Sequence, residues 1–88
     1  MNLIYSRSYA TARIFALQHE FMPGDWQWLQ DANIIRKNPR ADVFKAANWN
    51  ANPHRAQIDE ALERALKAHR LGSVNDVGTG GTLGVSSW

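Results

Sequence analysis

Eight consecutive residues, Asn48-Trp49-Asn50-Ala51-Asn52-Pro53-His54-Arg55, crowd amides, an imidazole and a guanidinium directly behind the apolar run Val43-Phe44-Lys45-Ala46-Ala47. Ser6-Arg7-Ser8 offers similar chemistry behind Leu3-Ile4-Tyr5. Such groups hold small anions, above all where a loop opens into a helix whose free amides and dipole favour negative charge. Arg7, Ser8, Asn48, Asn52 and Arg55 therefore form a candidate anion- or phosphate-binding set. A purely structural reading competes with it. Asparagine caps free amides, and proline at a first helical position loses no hydrogen bond, so Asn52-Pro53 is also a plain helix start.

Other chemistries find no foothold. The chain has no cysteine, which removes disulfides, thiolate metal sites and cysteine nucleophiles. Ser6 to Arg13 lacks the glycines of a dinucleotide fingerprint and the Gly-Lys-Ser/Thr end of a P-loop. His19, His54 and His69 fall on different elements without metal-ligand spacing. His69 is expected to stack on the core at the end of the last helix. No carboxylate pair falls in an expected crevice. No catalytic residue, metal or cofactor is assigned, and a non-enzymatic protein is expected.

The elements that would position these groups follow from periodicity. Residues 2–6 read as a strand. Residues 9–21 read as a helix capped by Ser8, with Ala10, Ile14, Leu17 and Phe21 as its buried stripe and Phe15 roughly opposite. Pro23-Gly24 breaks the chain. Residues 25–29 read as a second strand with Trp26 and Trp28 on one face, and Asp31 as the cap of a short helical turn. Residues 41–49 read as a third strand. A last helix follows Asn52-Pro53, with Ile58, Ala61, Leu62, Ala65 and Leu66 inward, Glu60–Arg64 and Glu63–Lys67 pairs outward, and Gly72 just past its end. Residues 73–88 are rich in glycine and read as a tail.

Strands alternating with helices argue for an α/β fold. The expectation is a three-stranded parallel sheet of order 2-1-3 with flanking helices, a half-Rossmann or flavodoxin-like unit over residues 1–72, followed by the tail at 73–88. The 88 residues suffice for one domain, and 44% hydrophobic content with 20% charge excludes a disordered chain. No run approaches the roughly 20 apolar residues of a membrane helix, and the start shows no signal-peptide pattern. No membrane association is expected.

Net charge is only +2, but Arg36, Lys37, Arg40, Lys45 and Arg55 cluster in one segment. That makes nucleic acid or a nucleotide the alternative partner, bound by basic loops at the carboxyl ends of strands one and three. Phe15, Trp26 and Trp28, with Leu83, Val85 and Trp88 of the tail, are the candidate protein-interaction residues. An edge strand beside an apolar tail also invites strand addition, within the chain or in a homo-oligomer.

The segments LIYSRSYATARIFALQH, DWQWL and ADVFKAANWNANP together resemble small Rossmann-like proteins encoded in phage and prophage genomes. The resemblance covers about residues 2 to 70. It implies a small accessory or regulatory protein that binds a host or virion protein, in the host cytoplasm or the virion. No site residue carries over.

Overall fold

The computed structural model describes residues 1–77. Strands β1 (Asn2–Tyr5), β2 (Trp26–Trp28), β3 (Asp42–Lys45) and β4 (Ser73–Asp76) alternate with helices α1 (Tyr9–Gln18), α2 (Ala32–Lys37) and α3 (Arg55–Lys67). A single 3-10 turn, Trp49–Ala51, precedes α3. The strands form one parallel sheet of order β2-β1-β3-β4. The expected order 2-1-3 is present, but the sheet has four strands rather than three. The fourth comes from the start of the stretch read as a tail.

β4 carries a single apolar residue, so its sequence reads as a turn. Val74 packs against the core cluster beneath α2 and α3, and polar side chains add further bonds to β3. Ser73 Oγ donates to Asp42 Oδ1 at 2.8 Å, and Asn75 Nδ2 donates to the Val43 carbonyl at 3.3 Å. Gly72 serves this junction. Its N–H donates to the Ala41 carbonyl at 2.9 Å, and a Cβ there would lie 2.6 Å from Asp42 Oδ1. Glycine is needed for close approach, not to end α3 as expected.

Alternation along β1 and β3 divides the core. Leu3, Tyr5 and Val43 face α2 and α3, packing with Ile35, Ile58, Leu62 and Ala65. Ile4 and Phe44 face α1, packing with Ala12, Phe15 and Ala16. Two helices thus cover one face and one covers the other.

The face that α1 buries is not the expected one. Phe15 is 7% exposed, whereas Ile14 and Leu17 are 54% and 67% exposed. Ala12 and Ala16, one turn apart, let the helix lie close on Ile4. Phe15 then meets Phe21 and Phe44 at ring-centroid distances of 6.2 and 6.0 Å. Phe21 reaches this cluster from beyond the helix. Glu20 takes a left-handed conformation (φ 58°), and the Phe21 N–H returns to the Ala16 carbonyl at 2.9 Å.

α3 ends the same way. His69 (φ 56°) is the left-handed residue, and the Arg70 N–H donates to the Ala65 carbonyl at 2.8 Å. His69 is exposed and does not stack on the core. At the other end, α3 begins at Arg55 rather than at Pro53.

A Cβ in the left-handed region costs energy that glycine avoids. His69→Gly should therefore stabilise the fold by about 1 kcal/mol. The urea midpoint should rise with an unchanged denaturant slope. A lower midpoint would show that the imidazole is held by something other than its backbone.

Candidate functional site

The carboxyl ends of β1, β2 and β3 converge where an open α/β sheet usually binds ligands. Asn52 lies in this junction and is only 4% exposed. Its Nδ2 donates to the Ser6 carbonyl at 2.9 Å and to the Leu29 carbonyl at 3.1 Å. Its Oδ1 accepts from the His54 N–H at 2.8 Å. One amide thereby joins the end of β1, the end of β2 and the entry to α3, and all its hydrogen-bonding groups are occupied.

Ser8 is occupied too. Its hydroxyl accepts from the Thr11 N–H at 3.3 Å while Thr11 Oγ1 accepts from the Ser8 N–H at 3.1 Å, a reciprocal cap on α1. Asn48 takes a left-handed conformation (φ 62°) that turns the chain out of β3, and its side chain makes no cap. Arg55 pairs with Asp59 at 3.5 Å. Arg7 is exposed and makes no ion pair among the described residues. The structure brings Ser6, Ser8 and Asn52 into one neighbourhood, where their polar groups bond to the protein itself.

A neighbouring cluster had no sequence signal. The Tyr5 hydroxyl donates to Asp59 Oδ1 at 2.7 Å across a separation of 54 residues. The Trp49 ring lies 5.2 Å from the Tyr5 ring, and Lys45 Nζ sits 4.3 Å above Trp49. Burial pushes the Tyr5 phenol well above its ordinary value, and the hydrogen bond and negative charge of Asp59 add to this, partly offset by Arg55. Only the fold makes this contact.

The second candidate lies along α1. A groove of about 620 Å³ runs between α1 and β2, lined by Tyr9, Arg13, Leu17, Trp26, Trp28 and Gln30 among others. Tyr9 stacks on Trp26 with ring centroids 5.7 Å apart, and Trp28 Nε1 donates to the Ser6 carbonyl at 3.3 Å. Both tryptophans are half-buried on the α1 face. Among the described residues β2 is an edge strand, paired only with β1. Phe15, expected on this kind of surface, is instead inside the core. Leu83, Val85 and Trp88 lie outside the described residues. Leu17 was missed because it was counted in the buried stripe. Among the described residues, no group of three or more His, Asp or Glu side chains could hold a metal ion, and no helix is long and apolar enough to cross a membrane.

Two outcomes follow. Asn52→Ala should destabilise the fold by about 3 kcal/mol, because the buried Leu29 carbonyl and the His54 N–H lose the amide and the Ser6 carbonyl keeps only the Trp28 indole; a loss under about 0.5 kcal/mol would show that water replaces the amide freely. The folded phenol of Tyr5 keeps its proton where the unfolded chain has released it. Its contribution is therefore complete below pH of about 10 and is lost as pH rises further. Tyr5→Phe should flatten the fall in stability measured by denaturant titration between about pH 9 and 11, and an equally steep fall would place its source elsewhere. No protein-family model matches the sequence, and neither the curated proteins nor the solved structures yield a match.

Proposed function

We propose that this chain is a non-enzymatic interaction module that binds an extended, apolar segment of a partner protein in the groove between α1 and β2. The observation that carries this reading is the pairing of exposed apolar side chains with an open strand edge. Tyr9 and Leu17 stand 56% and 67% exposed beside Trp26 and Trp28. The side of β2 that no described strand pairs offers backbone N–H and C=O groups to an added strand. Strand addition supplies affinity through the main chain and specificity through pockets for alternate side chains. In line with the phage resemblance, the partner would be a host or virion protein, met in the host cytoplasm or the virion.

Leu17 is exposed, so its replacement should leave the fold intact. Peptides selected from a random library against the intact protein should alternate apolar and polar residues. They should shift the amide resonances of residues 26–30 and lose at least about tenfold in affinity for Leu17→Asp, the order expected when a buried apolar contact worth about 1.4 kcal/mol is lost. Selection of no binders, or binders indifferent to Leu17→Asp, would overturn the reading.

A further inference from the structure

The structure redistributes the basic residues. Arg7, Lys45 and Arg55 sit at the carboxyl ends of the strands, whereas Arg36, Lys37 and Arg40 lie at the opposite, amino end. Arg70 joins them there. The Arg40 N–H donates to the Arg70 carbonyl at 2.6 Å, which ties the α2–β3 loop to the α3–β4 loop. Arg36, Lys37, Arg40 and Arg70 are all exposed. None of the four makes an ion pair among the described residues, since the ion pairs there are all internal to α3.

The negative ends of the helix dipoles account for part of this arrangement. Arg36 and Lys37 occupy the last turn of α2, where cations are favoured. They do not account for Arg40 and Arg70, which lie in the loops. Arg40 even takes a left-handed backbone (φ 62°). The acids in or beside the loops at this end are Glu20, Asp25 and Asp42. Asp42 accepts from Ser73 Oγ, and Asp25 lies beyond β1 on the edge strand's approach.

Beside the cluster, a groove of about 610 Å³ runs between α2 and α3, lined by Arg36, Arg64 and Arg70 against the acids Asp31 and Glu60, the latter paired with Arg64 at 3.8 Å. No phenylalanine, tyrosine or tryptophan lines it, and the one aromatic ring in its lining is the His54 imidazole, whose Nδ1 is 3.2 Å from Gln57 Oε1. It therefore lacks the stacking platform that single-stranded bases require. Cations without a base-reading surface suit a phosphate backbone.

We propose that Arg36, Lys37, Arg40 and Arg70 form a sequence-independent contact surface for the phosphate backbone of duplex nucleic acid, at the amino end of the sheet. This surface is separate from the α1–β2 groove and does not depend on what binds there.

The test is fluorescence anisotropy of the full chain with a labelled duplex of about 20 base pairs at two salt concentrations. Four phosphate contacts release counterions with a slope of about −3.6 in log affinity against log salt, so affinity should fall about 150-fold between about 50 and 200 mM salt. Arg40→Asn with Arg70→Gln should roughly halve that slope. Asparagine tolerates the left-handed backbone, and circular dichroism checks the fold. Arg7→Gln with Lys45→Gln removes equal charge from the opposite end and should leave the slope within about half a unit of the unmodified chain. Absence of salt-dependent binding would overturn the proposal. So would equal losses in both double variants, which would reduce the effect to net charge, or a loss confined to the second, which would move the contact to the carboxyl end.

Discussion

Parallel strands leave their last carbonyls pointing out of the sheet with no strand partner beyond them, and a buried carbonyl without a donor is costly. In this chain the side chain of Asn52 answers that constraint for two strands at once, through Ser6 and Leu29. The consequences spread outward. Because the amide is committed to β1 and β2, the 3-10 turn at Trp49–Ala51 must bring the chain back over the sheet. α3 then starts above Tyr5, close enough for Asp59 to receive the phenol. The position where related architectures leave room for a ligand is here filled by the protein's own polar groups.

A second constraint is the unequal covering of the sheet. Among the described residues α2 and α3 cover one face, while α1 alone lies on the other. One helix cannot cover both β2 and β3. It settles on Ile4 through its alanines and turns Phe15 toward Phe44, which leaves Leu17 and Tyr9 standing over the tryptophans of β2. Shortage of helix, rather than any special motif, produces the apolar groove.

Much of the architecture was legible in the sequence. The parallel order of β2, β1 and β3, the caps at Ser8 and Asp31, the common face of Trp26 and Trp28, and the inward stripe of α3, apart from Leu66, which stands 49% exposed, all follow from local patterns. What was not legible depends on partners distant in the chain. The face of α1 was misread because Ile14 and Leu17 are larger than Ala12 and Ala16. Close packing favoured the small pair, and the aromatic cluster fixed Phe15. β4 was missed because only Val74 in it is apolar, and its further bonds to β3 come from Ser73 and Asn75. At the candidate site, Asn52 was recognised as important to the start of α3, but its bonds to Ser6 and Leu29 and the Tyr5–Asp59 contact have no sequence signature. The basic residues looked like one group in the sequence, and the topology sends them to opposite ends.

The position of β1 has a consequence for how the chain acquires its structure. β1 is the first strand in the sequence and sits inside the sheet between β2 and β3, with Asn52 fastening its far end. Its neighbours are supplied only by residues 26–28 and 42–45, and its fastening only by residue 52. The strand pairings around β1 are therefore long-range, and ring-closure entropy must be met before they are rewarded. A chain growing from its amino end can pair β1 with β2 once residue 28 has been made, but the other side of Leu3, Ile4 and Tyr5 stays open until residues 42–45 and then Asn52 follow.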